Sequence, residues 1–183
     1  MVASNPRYPP HVNVEQLAIR GVARATPRTK AARQFDLFRA DALRGCLPAA
    51  WHPAVGTMYT GKRSQIHGLF CDDGPHVLTC VSGRVALVVV DLRLGSPTFG
   101  RWIPEDLDTE DRVTIVVPAN VGWGFQIATW DAALLCLHDE APRRPLIDPR
   151  DERLDIMWPL QSSGEQGIPL TEAMQQLPTY ERE

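Results

Sequence analysis

The stretch VSGRVALVVVDLRLGSPTFGRW, residues 81–102, decides the fold. Residues 85–90 within it are apolar without interruption. A run this short, rich in Val and with no polar alternation, reads as a strand covered on both faces. Ser82-Gly83 in front of it has turn chemistry, and the strand extends to residue 92. Working outward, further β-rich runs lie at 65–70, 77–81, 112–117, 124–128 and 132–137. Turn signals at Asp72-Asp73-Gly74-Pro75 and Pro118-Ala119-Asn120 punctuate them. No helical pattern alternates with the strands, so the chain is all-β, a sandwich or small barrel.

The flanks are less regular. The first 35 residues are rich in Arg and Pro and read as an arm or loosely attached strands, since prolines suit sheet edges. Short helices are expected at 35–44 and at 170–177, where Leu170, Ala173, Met174 and Leu177 have helical spacing. This divides the chain into an arm with peripheral segments (1–50), a barrel (51–160) and a C-terminal tail (161–183).

Composition excludes several functions. With 183 residues the chain makes one domain, and a core of that size needs no disulfide or metal staple. A net charge of −3 gives no electrostatic case for nucleic acid. The longest apolar runs, 85–90 and 132–137, are far short of a membrane span. The N-terminus has no apolar stretch of secretory type, so a cytoplasmic protein is expected. Cys46, Cys71, Cys80 and Cys136 form no C-x-x-C pair and are expected as free thiols. All the basic residues but Lys30 and Lys62 are Arg, a bias that fits a GC-rich genome.

Residues 81–102 resemble the "vsGevfdvavDlR..SptfGkW" block of the dTDP-4-dehydrorhamnose 3,5-epimerase family. In the same order, residues 117–125 (VPANVGWGF) resemble its "iPegfAHGF" segment, and residues 154–159 (LDIMWP) its closing "I.I.WP". The resemblance covers residues 60–160. It implies a cupin-type jelly roll, with short peripheral helices here, and a homodimer that exchanges N-terminal strands.

The catalytic positions implied by the resemblance are altered. The family's "RGLH" reads His67-Gly68-Leu69-Phe70, so a phenyl ring stands for the general base and His67 for a phosphate-gripping Arg. Phenylalanine accepts no proton, and imidazole lacks the bidentate fork of guanidinium. The family's following Lys corresponds to His76, its "AHGF" His to Trp123, and its general-acid Tyr to Cys136, with Leu137 in place of the next Lys. The acid that supports the family's base corresponds to Asp151, with Asp148 and Asp155 as alternatives. Asp72 and Asp73 lie in a turn and are expected to be solvated.

Each positioned acid or base supplies ~10²–10⁴-fold, so losing both removes the identifiable proton route. Phe70, Trp123, Phe125 and Leu137 instead suggest an apolar substrate pocket, with His67, His76, Asp151 and Cys136 as its reactive groups. An open, elongated cavity between Phe70, Trp123 and Cys136 is the corresponding expectation, with Trp123 either a wall of it or core packing. The five histidines, His11, His52, His67, His76 and His138, include no His-x-His pair, so neither a metal nor another cofactor is expected.

Three readings result. The leading one is a metal-independent cyclase closing a ring by oxa-Michael or [4+2] chemistry on an apolar polyketide-like small molecule in secondary metabolism. Holding the reacting ends together supplies ~7–11 kcal/mol without a strong acid or base. The alternatives are a 3,5-epimerase of dTDP-4-keto-6-deoxyhexose using unconventional residues, and a non-catalytic binding cupin.

Overall fold

The computed structural model describes residues 12–28, 37–38, 40–139, 146–161, 163–164 and 167–180. Its strands are β1 (Val12–Gln16), β2 (Ala23–Pro27), β3 (Val55–Thr60), β4 (Gln65–Phe70), β5 (His76–Ser82) and β6 (Arg84–Val90). They continue as β7 (Trp102–Asp108), β8 (Thr114–Val117), β9 (Gly122–Ile127), β10 (Ala133–His138) and β11 (Ser163–Gly164), and α1 (Leu170–Ala173) follows. A six-stranded sheet has the order β1-β2-β8-β5-β10-β3, and a five-stranded sheet the order β11-β4-β9-β6-β7. All the pairings are antiparallel except β11 with β4. This is the all-β, cupin-type jelly roll expected.

β6 shows why the apolar run matters. It pairs with β7 on one side and β9 on the other. Strand alternation sends Val85, Leu87 and Val89 into the space between the sheets, against Leu78, Ile115, Phe125 and Leu134. Val90 turns to the opposite face and packs with Leu69, Leu92, Ile147, Leu154 and Leu170. Both faces are therefore dry. β7 escaped the sequence reading because Pro104 and its acids break the strand pattern. Its place at the sheet edge explains how the proline is tolerated.

Of the first 35 residues, read as an arm or loosely attached strands, 12–16 and 23–27 form strands of the six-stranded sheet. β2 pairs with β8, and Ile19 and Val22 from the β1–β2 turn lie in the main core. Residues 1–11 lie outside the described residues. The expected helix at 35–44 falls partly outside them too, and 40–43 form turns instead. There Leu43, with Phe38, Leu47 and Trp51, covers the outer face of the six-stranded sheet through contacts with Ala23, Ala25, Val77 and Val116. Tertiary packing, not helical periodicity, sets the conformation of this segment. The helix expected at 170–177 forms only as α1 and relaxes into turns from Met174.

The residues that follow β6 are held by one carboxylate. Asp91 is fully buried and takes a bidentate contact from Arg93, Nε at 2.8 Å and Nη2 at 2.9 Å. The hydroxyls of Ser96 and Thr98 donate to it at 2.5 and 2.6 Å. Burial alone would push this carboxyl up, but the donors from Arg93, Ser96 and Thr98 outweigh it and hold it at about 2. Because the folded value lies below the ordinary Asp value, the contribution is present above about pH 4 and is lost as pH falls toward 2. Asp91→Asn should therefore cost about 2–3 kcal/mol at neutral pH, at 1.36 kcal/mol per unit. For a chain of this size that lowers the melting temperature by about 5–10 °C. Thermal unfolding of both proteins should show the gap closing at pH 2.

Candidate functional site

Polar groups gather at one end of the space between the sheets. β5 begins with His76, which shares the inward face with Leu78 and Cys80. On β10 the inward residues are Leu134, Cys136 and His138, and on β3 they are Thr57 and Tyr59. The register sets Cys136 opposite both Leu78 and Thr57. Cys136 Sγ lies 3.6 Å from His76 Nδ1, and Thr57 Oγ1 lies 3.0 Å from His138 Nε2.

Asp72 completes this group. Its backbone carbonyl accepts from Asn120 N at 2.7 Å, which fixes the β4–β5 turn and leaves the side chain buried. Asp72 Oδ2 stands 3.2 Å from His76 Nε2, with side chains only 8% and 4% exposed. Among the described residues neither carboxylate oxygen has an aligned hydrogen-bond partner, so Asp72 approaches His76 without a well-directed bond. The expectation of a solvated turn holds for Asp73 and fails for Asp72, which the Asn120 contact turns inward. No sequence signal distinguished the two.

Electrostatics follow from burial. Burial pushes the Cys136 thiol well up, and the Asp72 carboxylate adds to this, so the sulfur stays protonated at neutral pH. Burial and the nearby His76 hold His138 below the ordinary imidazole value. Burial likewise raises the Tyr59 phenol, with further pushes from Cys136 and Asp72.

The opposite wall is aromatic. Between Gly68 and Phe70 the β4–β9 register shifts, bringing Phe70 opposite Trp123 while His67 stays opposite Phe125. The shift occurs at a close approach: a Cβ on Gly68, which has φ of +101°, would stand 2.9 Å from the Gly124 Cα. Phe70 and Trp123 have ring centroids 4.5 Å apart, and His67 stacks on Phe125 at 4.9 Å. Tyr59 crosses from the other sheet to meet Phe125 at 5.5 Å and Phe70 at 5.6 Å. Tyr59, His67 and Phe70 are half-buried, whereas Trp123, Phe125, Cys136 and His76 are buried.

The structure thus brings together His67, His76, Cys136, Phe70, Trp123 and Phe125. It does not bring Asp151 or Leu137 to them. Asp151 Oδ2 accepts from Leu170 N at 2.6 Å and Oδ1 from Arg153 N at 3.0 Å, so it fastens the tail. Asp148 similarly accepts from Arg150 N, and Asp155 is exposed. Leu137 follows inward-facing Cys136, so alternation turns it to the outer face, where it packs with the Val77 and Val116 cluster. Tyr59 and Asp72, neither of them among the expected site residues, are the additions. An inward position in a strand beside Cys136 is the only signal that would have found Tyr59, and β3 itself went unread.

Nor do Phe70, Trp123 and Cys136 bound the expected open channel. Trp123 is 1% exposed, belongs to the main core, and touches Phe70, Tyr59, His76 and Phe125. Trp123→Ala should cost about 3–5 kcal/mol, the usual range for emptying an aromatic core position. Chemical denaturation would measure this directly.

A family model for dTDP-4-dehydrorhamnose 3,5-epimerase matches residues 18–176. The chain is 32% identical over 164 residues to a dTDP-4-dehydro-6-deoxyglucose 3-epimerase of Streptomyces bikiniensis, covering 81% of this chain and 84% of that protein. It is 30% identical over 187 aligned positions to a dTDP-4-dehydrorhamnose 3-epimerase of Streptomyces niveus, covering 92% and 90%. Among solved structures it superposes on NovW, a 4-keto-6-deoxy sugar epimerase of Streptomyces spheroides, with TM-score 0.85, 29% identity and coverage of 93% and 94%. ChmJ, a 3'-monoepimerase from Streptomyces bikiniensis in complex with dTDP-quinovose, gives 0.81 at 27%, covering 90% and 92%. All these relatives are sugar epimerases, which overturns the cyclase reading. That reading inferred a change of chemistry from the residue types at positions 70 and 136, and it gave the protic groups of the pocket only a supporting part beside an apolar ligand. By sequence and by fold, the chain belongs to the dTDP-4-dehydrorhamnose 3,5-epimerase family.

Proposed function

We propose that the chain epimerises a dTDP-linked 4-keto-6-deoxyhexose beside its ketone, with His76 as the base. The observation that carries this is a histidine and a carboxylate, both buried, 3.2 Å apart inside the barrel. A ketone acidifies the neighbouring C–H, and a base must take that proton while a donor stabilises the oxygen that becomes an enolate. The Asp72 carboxylate beside Nε2 favours the proton on that nitrogen, which leaves Nδ1 as the basic one, and it compensates the imidazolium that forms. The Cys136 thiol, which stays protonated, donates to Nδ1 at rest and keeps that nitrogen oriented. Trp123 Nε1 is a buried N–H with no acceptor among the described residues, suited to an enolate oxygen.

In the forward step the C–H bond breaks, its proton goes to Nδ1, and the electron pair moves onto the keto oxygen. Reprotonation from the other face returns the ketone with inverted configuration. The names of the relatives support this substrate class, and the origin of NovW in the novobiocin gene cluster supports a setting in secondary metabolism.

A second reading, a binding protein without turnover, draws on the mutual contact of Phe70, Trp123 and Tyr59, which narrows access to His76. One experiment separates the two. With dTDP-4-keto-6-deoxyglucose in heavy water, the chain should place deuterium beside the ketone, as read by NMR. His76→Asn should lower that rate by ~10²–10⁴-fold, and Asp72→Asn should lower it as well. Binding of dTDP without any exchange would instead support the second reading.

A homodimer also forms part of this proposal. β1 and β3 end the six-stranded sheet and carry Val14, Val55 and Met58, which are 40%, 40% and 62% exposed. Edges of this kind are usually covered. Light scattering should give about twice the 20.4 kDa chain mass.

A further inference from the structure

We propose that Tyr59 is the proton donor that works against His76, delivering a proton to the face of the sugar opposite the one the imidazole deprotonates. The proposal rests on the epimerase reading and deepens it. Inversion requires an acid and a base separated by the thickness of a sugar ring, and the sheet register provides that separation. Cys136 on β10 stands opposite Leu78 of β5 and Thr57 of β3. His76 is two residues before Leu78, and Tyr59 two residues after Thr57, all on the inward face. The two residues therefore lie on opposite diagonals from Cys136, each about 7–8 Å from it, so that their backbones stand roughly 15 Å apart with Cys136 between them. A ring seated over Cys136 presents one face to each.

Two groups compete for the role. Cys136 is 1% exposed and already engaged with His76 Nδ1, so it stands on the base's side. His67 lies on the other sheet, stacked flat on Phe125. Tyr59 is half-buried and reaches across the gap between the sheets, with ring centroids 5.6 Å from Phe70 and 6.1 Å from both Trp123 and His67. Its phenol stays protonated at neutral pH because burial disfavours the phenolate. In the step, the enolate carbon takes the Tyr59 hydroxyl proton as the pair on oxygen reforms the carbonyl. The phenolate then recovers a proton from water, and His76 returns its own.

The test is Tyr59→Phe with dTDP-4-keto-6-deoxyglucose in heavy water, since phenylalanine preserves the ring packing. The expected result is a folded variant that binds dTDP normally and still exchanges the hydrogen beside the ketone with retention. Inverted product should fall by ~10²–10⁴-fold. Inversion at the wild-type rate overturns the role of Tyr59 alone. So does loss of exchange and inversion together in a folded, dTDP-binding variant, because that places Tyr59 behind the base. Absence of exchange in the wild type overturns the epimerase reading and this proposal with it. Should the variant unfold, fluorotyrosine at position 59 gives a second readout. Its more acidic phenol should move the alkaline limb of inversion to lower pH, and an unmoved limb overturns the proposal.

Discussion

The loop end of the barrel depends on one buried ion. Asp91 keeps its charge inside the protein only because Arg93, Ser96 and Thr98 all donate to it. The chain between β6 and β7 is wrapped around that carboxylate, with Gly100 N donating to the Asp91 carbonyl and Asp91 N donating to that of Arg101. Arg93 then carries the order outward. Its guanidinium lies over the Tyr180 ring at 5.1 Å, and its Nη1 donates to the Arg20 carbonyl in the β1–β2 turn. Leu94 exchanges backbone bonds with the 178–180 segment. The N-terminal turn, the crossover and the tail are thus joined through one side chain, and a neutral residue there would unsettle all three together.

At the reactive end the balance is different, because there the polar groups are left incompletely paired. Among the described residues Asp72 and Trp123 Nε1 are buried without aligned partners, an arrangement that costs stability and clusters at functional sites. The aromatic contacts of Phe70, Trp123, Phe125 and Tyr59 offset this by filling the space around the polar groups. Dry surroundings also strengthen the attraction between Asp72 and an imidazolium at His76. The same packing that stabilises the barrel sharpens its electrostatics.

Much of the fold was legible in residues 65–137, because strands buried on both faces leave uninterrupted apolar runs. β4 matches its expected limits, and β5, β6, β8, β9 and β10 differ from theirs by only a few residues. β1, β3 and β7 were not legible, since edge strands tolerate Pro, Arg and Thr as readily as loops do, and β2, although inside the sheet, reads ARATP with the same residue types. The site was half legible. The resemblance pointed to Phe70, Trp123 and Cys136, which the fold does bring together, but a motif reads along the chain, whereas the β3–β10 register that sets Tyr59 beside Cys136 acts across it. Asp151 misled for the opposite reason: position relative to Trp158-Pro159 located the carboxylate, while its bonds to Leu170 N and Arg153 N give it a structural task.

Strand alternation explains how a barrel of this family can carry different side chains at its inward positions and still gather protic groups in the same space. Every second residue on β3, β5, β9 and β10 points into the same space, and the register shift in β4 adds Phe70 to it. A proton acceptor or donor moved to an adjacent strand, or two residues along its own, arrives within a side chain's length of where it stood. The backbone need not move, because the hydrogen bonds of the ladder do not depend on side-chain identity. Under the proposed function, a phenyl ring at position 70 and a thiol at 136 need not end the chemistry that the resemblance assigns there, provided that the same volume gains an imidazole and a phenol from elsewhere. His76 on β5 and Tyr59 on β3 are an imidazole and a phenol of that kind, placed on either side of the thiol.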